Sequence, residues 1–196
     1  MKSLIQGLNY LHNWFQIISC SFILIFYALN ISKIDDQKEN LVLILRIIQL
    51  EQSLDIIFNL FNRGGGILSS LMQISGRNIV AFFIIDQITD NFSLSLVIVC
   101  WNLADFIRYI FYLTKNQTIT YIRYSAFKIL YPLGIIGECF TVENRINRKD
   151  SINHLILRVL QVIQVLGMLY LYRYLLNKSK EVLKKQNQEK IRNKDS

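Results

Sequence analysis

The sequence predicts an all-α, polytopic membrane protein, a bundle of about six transmembrane helices. Three observations lead there. Apolar residues make up 52% of the 196 positions, and the mean hydropathy is positive, which is too apolar for an ordinary soluble domain of this size. The apolar residues gather into runs of about twenty, the length of helix that crosses a hydrocarbon core. Short polar or glycine-rich stretches separate the runs, and the chain has a single proline, Pro132. On this reading residues 1–177 are the bundle and residues 178–196 a basic tail.

The first run, residues 10–31, is long enough to span and has no small-residue cleavage site, so it is expected to stay as an anchored helix. Residues 32–40 are polar and read as a turn. The second run, residues 41–61, carries Arg46, Gln49, Glu51, Gln52 and Asp55. Its polar side must face protein or water, and it is the one span that could lie in the interface instead. Gly64, Gly65 and Gly66 end it with a tight reversal. In the third run, residues 67–85, Gln73 and Arg77 are four apart and adjacent on one helical face. Residues 86–91 form a short acidic loop. The fourth run, residues 92–113, has Trp101, Asn102, Asp105, Arg108, Tyr109 and Tyr112, with Asp105, Arg108 and Tyr112 in an i, i+3, i+7 stripe. The fifth is approached through residues 114–120 and ends near residue 142. Residues 143–150 link it to the sixth, residues 152–176, where Arg158, Gln161 and Gln164 lie on one side.

The net charge of +8 could suggest nucleic acid. Residues 178–196, however, hold seven Lys/Arg against three acids, half of the excess. A membrane-proximal basic tail accounts for this, and no nucleic-acid partner is expected. Six spans put both ends on one side, and the tail puts that side in the cytosol. The loops do not favour this orientation, since the presumed luminal ones carry five Lys/Arg against three on the other side. Cys20, Cys100 and Cys139 lie in separate apolar runs without pairing or metal-ligand spacing, so they read as packing residues and no metal site is expected.

The fifth run holds the chemistry. Tyr131 and Glu138 are seven residues apart, nearly one helical face. Pro132 cannot donate to the Lys128 carbonyl, which predicts a kink and an oxygen in need of a partner. Gly134 and Gly137 permit close approach of another helix or a thin ligand. An ionised side chain at mid-bilayer costs about 2.5–3.5 kcal/mol, so Arg77, Asp105, Arg108 and Glu138 must converge inside the bundle. A purely structural network would pair Asp105 with Arg108 along one helix and Arg77 with Glu138 across two.

Leu130-Tyr131-Pro132-Leu133-Gly134, with Glu138 after it and Arg123-Tyr124 before it, resembles the 3-hydroxyacyl-CoA dehydratases of the very-long-chain fatty acid elongation cycle, also called protein-tyrosine-phosphatase-like proteins. Gln73 and Arg77 in Gln73-Ile74-Ser75-Gly76-Arg77, and Trp101 with Ile107-Arg108-Tyr109 and Phe111-Tyr112, are similar to further motifs of that family. The resemblance implies Tyr131 and Glu138 as catalytic residues, with Gln73, Arg77, Asp105, Arg108, Tyr109 and Gly134 binding or supporting. It implies a long-chain 3-hydroxyacyl-CoA as substrate and no metal or redox cofactor. Removing a C2 proton and protonating the departing 3-hydroxyl needs a base and an acid, and a carboxylate and a phenol can serve, in either order. A site in the bilayer lets the acyl chain lie among the helices while CoA stays in water. The resemblance also implies an endoplasmic reticulum membrane protein with cytosolic ends, associated with membrane lipid, elongase, 3-ketoacyl-CoA reductase and enoyl-CoA reductase.

The chain departs from the family at three places. Asp105 and Asp55 stand where Glu is usual, and Phe58 stands where His is expected. The alternative reading is an inactive member acting as a membrane scaffold in a lipid-synthesis complex. A transporter is disfavoured because no second broken helix matches the fifth. A phosphatase is rejected: Cys139 precedes Arg145 by six residues, but the stretch between has no glycine and includes Glu143, which repels an anion. His12 and His154 read as membrane-boundary residues, and Tyr170, Tyr172 and Tyr174 as an interfacial aromatic belt. Asn30, Asn91, Asn116 and Asn177 open Asn-X-Ser/Thr triplets, of which the first two would be luminal and too near the bilayer for much glycosylation.

Overall fold

The computed structural model describes residues 2–62, 67–85, 90–114, 116–146 and 154–192. They form seven α-helices: α1 (Lys2–Leu29), α2 (Ile34–Gln52), α3 (Leu54–Asn62), α4 (Ile67–Ile79), α5 (Asn91–Thr114), α6 (Gln117–Ile146) and α7 (His154–Arg192). Four of them, α1, α5, α6 and α7, contain stretches long and apolar enough to cross a membrane. The chain is a multi-pass, all-α membrane protein.

The helix surfaces are arranged for lipid. On α1, Leu8, Leu11, Phe15, Ile18, Phe22 and Ile25 recur at three- and four-residue steps and are exposed, whereas His12, Asn13 and Gln16 are buried. A soluble helix would turn these two faces the other way. Polar groups that cannot be hydrated in a bilayer are directed into the bundle instead. Helix α5 is the centre, packed against α1 on one side and α6 on the other, with α7 lying along α6. Val97, Ile98, Trp101 and Tyr109 of α5 are almost wholly buried.

The predicted turn at residues 32–40 is mostly helical. The reversal is confined to a 3-10 turn, Ile31–Lys33, and α2 begins at Ile34, with Asp35 and Asp36 in a first turn where the helix dipole favours acids. The predicted second span is divided. Ser53 sits between α2 and α3, its hydroxyl donating to the Gln49 carbonyl at 3.3 Å. The third run continues from α4 into a π-helical turn, Val80–Ile84. Arg46 of α2 donates to the Ala81 and Phe82 carbonyls there, at 2.8 and 3.3 Å, so this cation of the second run does turn toward protein. The three-glycine reversal lies outside the described residues, as do residues 86–89 of the expected acidic loop at 86–91, residues 147–150 and residues 193–196. At the end of that loop Asn91 already opens α5, with Asp90 accepting from Ser93. Helix α7 continues to Arg192, so residues 178–192 extend the last span as helix.

Helix α6 is unbroken through Pro132. The Lys128 carbonyl, which proline cannot serve, accepts a hydrogen bond from the Tyr172 hydroxyl of α7 at 3.3 Å. Tyr172 therefore does more than sit in an aromatic belt, because it satisfies the backbone oxygen that the proline left.

Of the two glycines beside the site, only one is required by packing. A Cβ on Gly137 would come 2.9 Å from Leu96 Cβ and 3.3 Å from the Val97 backbone nitrogen, while on Gly134 it would meet Cys100 and Trp101 at 3.7 and 3.9 Å, ordinary contact. Gly137→Ala is expected to cost about 1–3 kcal/mol by forcing α5 and α6 apart. Gly134→Ala is expected to be neutral or to stabilise by up to about 1 kcal/mol, since alanine favours the helix. Detergent-solubilised melting curves of the two variants check this, and equal destabilisation would count against the α5–α6 packing.

Candidate functional site

Three neighbouring cavities run along the seam between α6 and its neighbours. The first is lined by α4 (Gln73), α5 (Asp105, Arg108), α6 (Arg123, Tyr131) and α7 (Leu171). The second shares Gln73 and Tyr131 with the first and adds Arg77, Trp101, Gly134 and Glu138. The third continues past Glu138 between α6 and α7 and is lined by Val142, Gln164, Val165 and Met168 among others. Tyr131 and Glu138 thus face one cavity from consecutive stretches of a single helix, as their seven-residue spacing requires.

Their partners differ. The Tyr131 hydroxyl lies 3.0 Å from the Gln73 amide. Turning that amide so that its oxygen faces Arg77 Nη2 and Arg108 Nη1, each 3.3 Å away, leaves its nitrogen to donate to the Tyr131 oxygen. That orientation satisfies both ends of the amide and frees the tyrosine proton for another acceptor. Glu138 Oε1 accepts from Trp101 Nε1 at 2.7 Å, and Oε2 accepts from Gln164 Nε2 of α7. Each carboxylate oxygen therefore has one N–H donor and a lone pair to spare.

Behind this pair lies a buried charge network. Asp105 takes Arg77 Nη1, Arg108 Nη2 at 3.3 Å and Gln52 Nε2 at 2.7 Å. Asp55 takes Tyr109 Oη at 2.7 Å, Arg108 Nη2 at 3.2 Å and His12 Nε2 at 2.9 Å. Two acids and two arginines neutralise one another where neither sign could face lipid. The Asp105–Arg108 pair expected along one helix is present. The expected Arg77–Glu138 pair is not: Arg77 bonds to Asp105, and Glu138 is already held by Trp101 and Gln164.

His12 is likewise not a boundary residue. It is 6% exposed, with its ring 5.2 Å from that of Phe58 and its second nitrogen 3.7 Å from Glu51. His154's side chain lies outside the described ones. Sequence reading also left Gln164 without a partner and Gln52 without a role. The available signal was that each is a polar residue in an apolar run, and only the fold supplies the acid it serves.

The chain matches the family model described as "Protein tyrosine phosphatase-like protein, PTPLA" over residues 49–185. It belongs to that family. The PTPLA match takes in Gln73, Arg77, the α5 motif and the whole of α6, so the cavities described above are built from the family region. Three curated relatives are similar over shorter stretches: very-long-chain (3R)-3-hydroxyacyl-CoA dehydratase hpo-8 of Caenorhabditis elegans (33% identity, 42% of this chain and 42% of that protein), very-long-chain (3R)-3-hydroxyacyl-CoA dehydratase of Danio rerio (29%, 39% and 24%), and very-long-chain (3R)-3-hydroxyacyl-CoA dehydratase 3 of Homo sapiens (30%, 39% and 23%). The chain spans between 23% and 42% of the length of these relatives. No solved structure matches it. The PTPLA name carries no phosphatase geometry here. Cys139 and Arg145 stand on one uninterrupted helix, whose backbone N–H groups are committed to helical bonds and cannot turn toward an anion.

Proposed function

We propose that this PTPLA-family chain dehydrates a long-chain 3-hydroxyacyl-CoA to the trans-2-enoyl-CoA, with Tyr131 and Glu138 as the acid–base pair. The observation that carries the reading is that these two residues line one cavity while their other bonds prepare them for opposite proton transfers. Glu138, which lines the cavity and has one N–H donor on each oxygen, removes the C2 proton. Tyr131, whose oxygen accepts from Gln73, gives its proton to the departing 3-hydroxyl. The C3–O bond breaks, the C2=C3 double bond forms and water leaves. A proton passing from Glu138 back to Tyr131 through solvent restores both groups. Arg77, at the same cavity with its Nε unpaired, is a cation placed to oppose negative charge growing on the thioester oxygen. This elimination combines two proton transfers with cleavage of one C–O bond and no net redox change, and the proposed steps call on neither a metal nor a redox cofactor.

The curated relatives' names and the family motif support the substrate class. An endoplasmic reticulum location with cytosolic ends, and company with an elongase, a ketoacyl reductase and an enoyl reductase, follow as proposals from the same resemblance. The test is conversion of a long-chain 3-hydroxyacyl-CoA by the purified, detergent-solubilised protein, beside the Tyr131→Phe/Glu138→Gln double variant. Turnover by the wild type alone is the expected result. No turnover by folded wild type would move the chain to the scaffold reading.

A further inference from the structure

We infer that Arg123 forms an anion subsite for the diphosphate of the CoA carrier, and that it fixes the direction in which the substrate lies along α6. The inference rests on the dehydratase reading for its ligand, and on the following geometry for its place.

Arg123 lines the first cavity. Its guanidinium lies against three rings, 4.3 Å from the centroid of Phe111, 5.3 Å from Tyr112 and 5.6 Å from Tyr124. These contacts hold the side chain in a fixed pose while leaving its N–H edge unused. Among the described residues no acid pairs with it, whereas Arg77, Arg108 and Arg158 each have a carboxylate. Asp105, the acid that lines this cavity, is already matched by Arg77 and Arg108. Arg123 is therefore, among the described residues lining these cavities, an arginine with no carboxylate of its own. A planar guanidinium with several free donors suits a phosphate better than a point charge does.

Its position suits the shape of a CoA thioester. Arg123 stands eight residues before Tyr131 on the same helix, about 12 Å along the axis, and only six residues after the start of α6. A phosphate bound there lies near the helix end, with a long linker needed to bring a reacting carbon to Tyr131. The pantetheine arm is such a linker. On the other side of the acid–base pair a small cavity lies past Glu138 between α6 and α7, where Val142, Val165 and Met168 face it beside Gln161 and Gln164, and this marks the direction for an acyl chain. The substrate would thus lie with phosphates at the α5–α6 hairpin, the reacting carbons between Tyr131 and Glu138, and its tail directed toward the far end of α6.

The experiment compares wild type and Arg123→Gln on two substrates, a 3-hydroxyacyl-CoA and the same acyl group on pantetheine, which lacks the phosphates and the nucleotide. Dodecyl maltoside as detergent keeps lipid phosphates out of the comparison. The expected result is a fall in kcat/KM of about tenfold or more on the CoA thioester, carried by KM, with no change on the pantetheine thioester and partial recovery in Arg123→Lys. Equal losses on both substrates, or none on either, would overturn the subsite. Equilibrium binding of free CoA to both proteins separates this from the activity itself. Wild type that binds CoA more tightly than Arg123→Gln but turns over neither substrate supports the subsite and sinks the dehydratase reading; equal binding sinks the subsite.

Discussion

Tyr131→Phe and Glu138→Gln are each expected to lower kcat for 3-hydroxyacyl-CoA dehydration by about a hundredfold to ten-thousandfold, the usual contribution of a positioned general acid or base. The two changes remove one functional group each and leave shape nearly intact. Tyr131→Phe deletes the hydroxyl that hydrogen-bonds Gln73. The ring keeps its edge contact with Phe127, so the loss should fall on chemistry more than on packing. Glu138→Gln is less innocent. Trp101 Nε1 and Gln164 Nε2 both donate to the carboxylate, and a carboxamide offers one acceptor oxygen, so one N–H is left facing an NH2 group at a cost of about 1–3 kcal/mol. The melting temperature must therefore be measured beside the activity. A folded Glu138→Gln protein with near wild-type turnover would remove Glu138 from the mechanism. An active Tyr131→Phe protein would pass the acid's role to another group.

The largest effect on stability is expected from Asp105→Ala. Asp105 is wholly buried and takes Arg77, Arg108 and Gln52 at once. Removing it leaves Arg77 without an acid in the bundle interior and weakens the hold on Arg108, which keeps Asp55. Breaking a buried pair in this way costs about 3–5 kcal/mol. Glu143→Ala is the comparison. Its bonds to Arg158 join side chains that are 38% and 50% exposed, and pairs of that kind contribute about 1 kcal/mol or less. Thermal or denaturant unfolding in detergent reads both. If Asp105→Ala melted close to the wild type, the buried network would not hold the bundle together.

Asp105→Ala should also lower activity, through geometry. Arg77 and Arg108 orient the Gln73 amide that orients Tyr131, so losing their common acid lets both guanidiniums shift. Asp105→Asn keeps the shape and one acceptor, and is expected to recover more activity than Asp105→Ala. The network is thus read as a support for the acid–base pair as well as a device for hiding charge from lipid.

Several features of this arrangement were legible before any fold was known. Tyr131, Pro132 and Glu138 lie on one helix, and a seven-residue spacing puts the first and last on one face whatever surrounds them. The charges in apolar runs had to point inward because lipid cannot solvate them. The break in the second run was less legible: Gln49, Gln52 and Asp55 signalled a buried polar face, but Ser53 is not a strong helix breaker, and the division into α2 and α3 follows from what those residues reach. The polar residues 34–40 read as a turn because their composition is hydrophilic, yet Ile34 is buried against the core and anchors the start of a helix whose acids suit its first turn.

The sequence by itself determined the class of protein and that Tyr131 and Glu138 share one helical face, because apolar length and residue spacing are local properties of the chain. Of the six runs it marked as spans, four are helices long and apolar enough to cross a membrane. The tertiary structure decided who partners whom: Arg77 with Asp105 instead of Glu138, Gln164 with Glu138, His12 with Asp55, and Tyr172 with the carbonyl left by Pro132. Each of these joins residues more than twenty positions apart, on helices whose relative rotation and depth are set by the packing of all their neighbours. A polar residue in an apolar run announces that it needs a partner, and only the assembled bundle brings one within hydrogen-bond reach.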